Sequence, residues 1–257
     1  GLPICPLPER EDIRNKIPVW KSTRYDRYTN AEVVLKMLGA KNVYACDINN
    51  YENPDFIFDL NIKVPVEFYN RFDVVFDCGT LEHVFDIGEG LRNICRMLKV
   101  GGTVVLINPA SGAIDHGFYQ ISPTLFYDFF TENGFSNFSC YLKMGNGFNY
   151  FKKGKVYKYK NVGLECPVWT SQGVEVCFFA KKMKVLDDSQ YKVPIQSIYK
   201  KFFWDKSSYS EKLFTGNRWK KFLQTMEFLT DSFRPLWIDR IVKSKKRMRH
   251  LEYLGRF

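Results

Sequence analysis

The sequence has no apolar run approaching the roughly 18 residues that a membrane span needs. Its opening, GLPICPLPEREDIR, has neither the basic flank nor the apolar stretch of a secretory signal. A soluble, cytoplasmic protein is expected, at most peripheral to the inner face of the membrane. There is no internal repeat and no CxxC pair. The 7 cysteines are scattered and odd in number, which excludes a disulfide framework or a zinc ribbon and reads as reduced, mostly buried thiols. Histidine is scarce: only 3 occur, His83, His116 and His250, so few side chains can serve as a base near neutrality. Nor is the composition biased towards disorder, with 45% hydrophobic and 26% charged residues.

What is abundant is positive charge, and it is unevenly placed. Of the net +10 over 257 residues, the stretch from Leu186 onward holds a surplus of +8, from 16 basic and 8 acidic residues. This tail mixes aromatic and basic residues at loose helical spacing (IYKKFFW, WKKFLQTMEFL, LWIDRIV, KSKKRMRH). It reads as a separate helical appendage with three uses. It could pack on the core or on a second subunit as a homodimer, dock on an anionic membrane surface, or bind nucleic acid through phosphates. The first is favoured, and nucleic acid least, because no RNA-binding signature accompanies the charge.

Three segments are expected: residues 1–29 as an arm or cap, 30–185 as the core, and 186–257 as the appendage. The core alternates strand and helix signals. Thr29 and Glu32 have capping-box spacing before a Val33, Val34, Met37, Leu38 stripe, and Gly39 stands where a helix ends. NVYACD, FIFDLN and FDVVFDCG read as short buried strands, and Val84 to Leu98 as a helix running through KVGG into the strand TVVLIN. Ser122 and Pro123 start another helix that Gly134 closes. FSCYLK and VEVCFFAKK are late strands, one of them antiparallel, around an aromatic, glycine-containing insertion at 144–173. The insertion is either a lid or sugar-stacking surface, with Phe148, Tyr150, Phe151, Tyr157, Tyr159 and Trp169, or an ordinary packed hairpin. The pattern implies an α/β, Rossmann-like, doubly wound and mostly parallel sheet.

In such a sheet ligands bind beyond the carboxyl ends of the strands. Asp47, Asp59 with Asn61, the stretch Asp77 to Glu82, and Asn108 through His116 all occupy that position. A carboxylate offers two acceptor oxygens that match the diol of a ribose, which suits Asp47 as well as an ordinary turn does. Asp59 beside Leu60 suits an adenine amine and ring.

FDVVFDCGTLEHV, a helix, RMLKVGGTVVLINP and a Ser-Pro helix ending NGF together resemble the class I S-adenosylmethionine-dependent methyltransferases. The likeness runs from residue 30 to about 183. DHGFYQISP, Asp115 to Pro123, resembles an acceptor-side element of methyltransferases from bacterial surface-polysaccharide clusters. The resemblance implies S-adenosylmethionine as cofactor, with Asp47 and Ile48 at its ribose, Asp59 and Leu60 at its adenine, and Asp77, Cys78, Gly79 and His83 around its methionine end. It implies methyl transfer to a small molecule or glycan precursor, at a hydroxyl. His116 is the candidate general base, oriented by Asp115, with Tyr119 and Gln120 lining the acceptor pocket. No metal is expected, although Asp77, Glu82, Asp115 and His116 were they closer would suit a divalent ion.

The departure from the family is the absence of a glycine-rich loop about twenty residues before Asp47, where YDRYTN stands instead. A tolerated non-glycine loop, a binding or scaffold protein that has lost its cofactor, and a chain lacking its first strand all remain open. So does an RNA methyltransferase, given the tail.

Overall fold

The computed structural model describes residues 4–6, 28–51, 53–145, 154–161, 170, 172–204 and 251–256. Strands β1 (Ile4–Pro6) and β2 (Tyr28–Asn30) pair antiparallel ahead of helix α1 (Ala31–Met37). Strands β3 (Cys46–Asp47) and β4 (Phe56–Ile57) form a parallel two-stranded ladder. Next come β5 (Phe72–Cys78), a 3-10 turn at Leu81–His83, α2 (Ile87–Met97), β6 (Leu98–Ser111), α3 (Pro123–Glu132), β7 (Phe135–Gly145), β8 (Lys155–Tyr159), β9 (Gly173–Lys182), α4 (Ser197–Trp204) and β10 (Leu251–Arg256).

The main sheet has six strands in the order β10-β8-β7-β9-β6-β5. Only β5 and β6 pair parallel; the four other pairings are antiparallel. The fold is therefore α/β with a mixed sheet, not the mostly parallel one expected. The reason is β9: it inserts between β6 and β7, which run in the same direction, and β8 then adds to β7 as a hairpin neighbour. The parallel order legible in NVYACD and FIFDLN also stops short. Their ladder shares no backbone pairing with the main sheet, and aromatic packing joins the two instead. Tyr44 meets Phe56 and Phe72, Phe68 stacks on Phe72, and Arg71 lies over the rings of Phe56, Phe68 and Phe72.

The helices form where their caps are. Ser122 Oγ accepts the Thr124 amide with proline at the first position, and Asp86 accepts from Glu89 N at the head of α2. Both helices bury their apolar residues in one cluster with Val104, Leu106, Val176 and Phe178 of the sheet. Phe130 stacks on Phe178 at 5.6 Å. α2 and α3 pack on this one face, and on the opposite face Val105, Ile107 and Phe179 are half-buried among the described residues. Tyr157 and Tyr159 of the insertion are buried on β8 in that same cluster, so these two are hairpin packing and not a ligand surface. Phe148, Tyr150, Phe151 and Trp169 lie outside the described residues.

Leu251–Arg256 departs from the separate helical appendage. It pairs with β8 across a bulge and edges the core sheet, because β8 would otherwise offer an open row of backbone groups. The residues between α4 and β10, which hold most of the basic tail, lie outside the described residues. Among the described residues no helix is long and apolar enough to cross a membrane. Cys95 and Cys140 are buried free thiols, as expected, whereas Cys46 is exposed.

Two buried polar side chains hold α2 in place. Lys182 donates to the carbonyls of Cys95 and Leu98 at 2.7 Å and to Asn70 Oδ1 at 3.0 Å, using all three ammonium hydrogens on the end of the helix. Asn93 is fully satisfied too: Nδ2 donates to Leu60 O (3.1 Å) and Ile62 O (2.7 Å), while Oδ1 accepts from Val64 N (3.0 Å) and Arg96 Nη1 (2.7 Å). The turn after β4 is thereby pinned to the helix that follows β5. Asn93→Ala orphans these groups and should cost about 2 to 4 kcal/mol in urea denaturation; a loss below about 1 kcal/mol would show that the pin is dispensable.

Candidate active site at the strand ends

β5 ends at Cys78, and Gly79 turns the chain in the left-handed region at φ 83° while its N–H donates to Ile107 O of the parallel neighbour at 2.9 Å. The turn brings back Glu82, whose side chain is fully buried beside Asp77 of β5 and Asn108 of β6. One amide serves both carboxylates: Asn108 Nδ2 donates to Asp77 Oδ2 at 2.6 Å and to Glu82 Oε2 at 3.0 Å. Asp77 Oδ1 accepts the Thr80 amide at 3.0 Å. Glu82 Oε1 and Asn108 Oδ1 are buried acceptors with no hydrogen-bond partner. Buried polar atoms are nearly always satisfied, so a pair of orphaned acceptors in one place indicates a site for a cation or donor.

The loop after β6 closes over this floor. Its turn, with Asp115 at φ 62°, is tied by His116 N to Ala113 O (3.2 Å) and by Ala113 N to Gln120 Oε1 (3.0 Å). Tyr119 N donates to Glu82 O at 3.1 Å and its hydroxyl to Phe85 O at 2.7 Å. Gly117 allows the contact, since a Cβ there would stand 2.8 Å from Glu82 O. His116 Nε2 consequently lies 3.6 Å from Glu82 Oε1, and the His83 and His116 rings are 5.1 Å apart. Both imidazoles are exposed, with the carboxylate behind them. Exposed Phe85 and Phe118 meet edge to face at 5.6 Å on the same two segments.

Burial, joined by the charge of Glu82 and opposed by the Asn108 and Thr80 hydrogen bonds, pushes the Asp77 carboxyl up to about 6. The two carboxylates share one desolvated corner in which a single amide offsets part of their repulsion.

Of the residues singled out in the sequence, Asp77, Gly79, His83 and His116 come together here, with Cys78 completing β5. Asp47, Ile48, Asp59 and Leu60 form a second group at the ends of β3 and β4. Asp47 Oδ1 accepts from Asn49 N at 3.2 Å, and Asp59 Oδ1 takes both the amide and the side chain of Asn61 at 2.8 Å. Asn61 Oδ1 in turn accepts from Asp86 N at 2.9 Å, which links the second group to the head of α2. The carboxylate facing His116 is Glu82, the place the sequence reading had offered to Asp115. The polar ends of Tyr119 and Gln120 brace the loop. The sequence reading had Asn108 only as the start of the strand-end stretch Asn108 through His116 and gave it no role of its own; its signal was a side-chain amide at the end of the apolar run TVVLI.

Residues 29–106 match a family model described as a methyltransferase domain. The match spans 78 of the 257 residues and supports an enzyme, an S-adenosylmethionine-dependent methyltransferase. A crystal structure of a proposed methyltransferase from Bacillus halodurans aligns with 60% of this chain and 78% of its own, at 13% identity and a TM-score of 0.35, too low to support inference. A comparison with curated proteins finds no significant match.

The fold buries Asp77 where its ionisation costs stability. Its folded value lies above the unfolded one near 3.9, so its contribution is complete below about pH 4 and is lost as pH rises through about 6. Relative to Asp77→Asn, the wild type should lose about 3 kcal/mol of unfolding free energy between pH 4 and pH 7. A difference that stays constant over this range would mean that Asp77 is ionised throughout.

Proposed function

We propose that the methyltransferase acts on a hydroxyl of a small molecule or glycan precursor, bound where His83 and His116 meet the rings of Phe85 and Phe118. The observation that carries this reading is a pair of exposed imidazoles set against a buried carboxylate at the strand ends, 3.6 Å from His116 Nε2 to Glu82 Oε1. An alcohol needs a base to lose its proton, and an imidazole backed by a carboxylate suits that task. Phe85 and Phe118 offer apolar ring faces on which a sugar can lie.

S-adenosylmethionine, when bound, supplies a methyl group on a sulfonium: the acceptor oxygen bonds to that carbon as the C–S bond breaks, its electron pair stays on sulfur, and the hydroxyl proton passes to a base. The residues fit such a cofactor. Asp77 and the orphaned Asn108 Oδ1 are acceptors suited to its ammonium group, and Gly79, with Cys78, leaves room beside them. In this reading Asp47 and Ile48 take the ribose, and Asp59 with Leu60 takes the adenine. His116 receives the proton and Glu82 stabilises the resulting imidazolium. Tyr119, Gln120 and the turn at Asp115 hold His116 over the floor. The polysaccharide-type acceptor rests on the DHGFYQISP likeness.

Calorimetry with S-adenosylmethionine and S-adenosylhomocysteine should detect binding of both. Asp47→Ala should weaken it by about 10-fold or more, through loss of a charged hydrogen-bond acceptor. His116→Ala should lower turnover on a hydroxylated acceptor by about 10² to 10⁴ with cofactor affinity nearly unchanged. Wild-type turnover in His116→Ala would remove the hydroxyl-base reading. Equal activity on RNA, falling steeply with salt, would replace the acceptor class.

A further inference from the structure

We infer that Glu82, His83 and His116 bind a divalent transition-metal ion at the mouth of the active site. Each residue can present one ligand atom, and the three atoms lie within 4.8 Å of one another. Two imidazole nitrogens and one carboxylate oxygen form a donor set suited to zinc, iron(II), cobalt or manganese, and too nitrogen-rich for calcium or magnesium. With bonds of about 2.0 to 2.1 Å, ligands on a tetrahedral ion stand about 3.3 Å apart. The His116 Nε2 to Glu82 Oε1 separation of 3.6 Å is close to that edge.

Glu82 supplies the independent observation. Its side chain is wholly buried, Oε2 is held by Asn108 Nδ2 at 3.0 Å, and Oε1 has no hydrogen-bond partner. A buried carboxylate oxygen without a donor carries a large desolvation cost unless a cation faces it. The His116 imidazole approaches it to 3.6 Å with His83 in the same cluster, and two neutral imidazoles with one ion satisfy it better than either ring alone. The Asn108 amide acts as the outer hydrogen bond that fixes a ligating carboxylate. The backbone is arranged to the same end. Glycine at 79 keeps the space by Oε1 free, since a Cβ would come within 3.4 Å of it, and glycine at 117 lets the His116 loop approach Glu82.

Three protein ligands leave open positions, which is the arrangement of a catalytic ion. An acceptor hydroxyl on such a position becomes more acidic, so its proton passes to solvent water at this exposed mouth, and His116 then holds the ion in place of taking the proton itself. This second part rests on the hydroxyl-acceptor reading. Binding of the ion does not, and it can be measured with neither cofactor nor acceptor present.

The test is titration of the chelator-stripped full chain with Co²⁺, followed by visible absorption and by competition with Zn²⁺. One ion per chain is expected, without the near-ultraviolet thiolate band that the exposed Cys46 would produce, and Cys46→Ser should bind equally. His83→Ala and His116→Ala, both at exposed positions, should each weaken binding about 10-fold or more, and the double variant should abolish it. Glu82→Gln should do the same; its thermal melting separates lost ligation from lost folding. Absence of Co²⁺ and Zn²⁺ binding, a thiolate spectrum, or unchanged affinity in the double histidine variant would overturn the site. Metal binding together with a failure to bind S-adenosylmethionine would leave the site standing and remove the methyl-transfer reading of it.

Discussion

A single side-chain amide, Asn108 Nδ2, stands between two buried carboxylates and makes the centre of this protein possible. Without it Asp77 at the end of β5 and Glu82 in the turn that follows would share a desolvated corner with no donor between them, an arrangement that costs several kcal/mol. With it, one oxygen of each is held and the rest of the corner is arranged to present the others. Gly79 turns the chain so that Glu82 reaches the floor, and the His116 loop settles on the Glu82 backbone through Tyr119. The site is an acceptor-rich pit with imidazoles on its rim.

The surrounding structure keeps that pit in register. α2 leaves directly from the turn that carries Glu82 and His83, and its position is fixed at both ends by polar side chains buried beneath it. Asn93 ties the turn after β4 to it, and Lys182 on β9 closes its last carbonyls. A displacement of α2 would therefore move Glu82, the turn at Leu60 and the edge of β9 together. This coupling ties the two groups of acidic residues, on separate sheets, to one helix. The aromatic contacts from Phe56 and Phe68 to Phe72 add a shape-filling link between the sheets that needs no strand pairing.

The floor is buried and polar, while the rim is exposed and aromatic. The buried acceptors call for a positively charged or donor-bearing partner, which both a sulfonium cofactor's ammonium and a metal ion satisfy. The rim, with exposed Phe85, Phe118, His83 and His116, is built from the two segments most free to vary in length, the turn after β5 and the loop after β6. The family match reaches residue 106 and so covers Asp77 and Glu82 but neither Asn108 nor the loop after β6.

Local signals in the sequence were sufficient for the helices and for β5, β6, β7 and β9. Ser122-Pro123, Gly134 and the apolar runs act within a few residues of themselves, and so did the Asp-Cys-Gly strand end and the scarcity of histidine that singled out His116. Pairing was decided only in three dimensions. Whether β9 sits at an edge or between β6 and β7, and whether 251–256 joins a helix or β8, depends on partners 28 to 101 residues apart along the chain. Separation along the chain also hid the role of Glu82. In sequence it is an acid at the head of a helix, and only the 26 residues that separate it from Asn108, closed up by the β5–β6 pairing, make it a buried carboxylate with one oxygen left over.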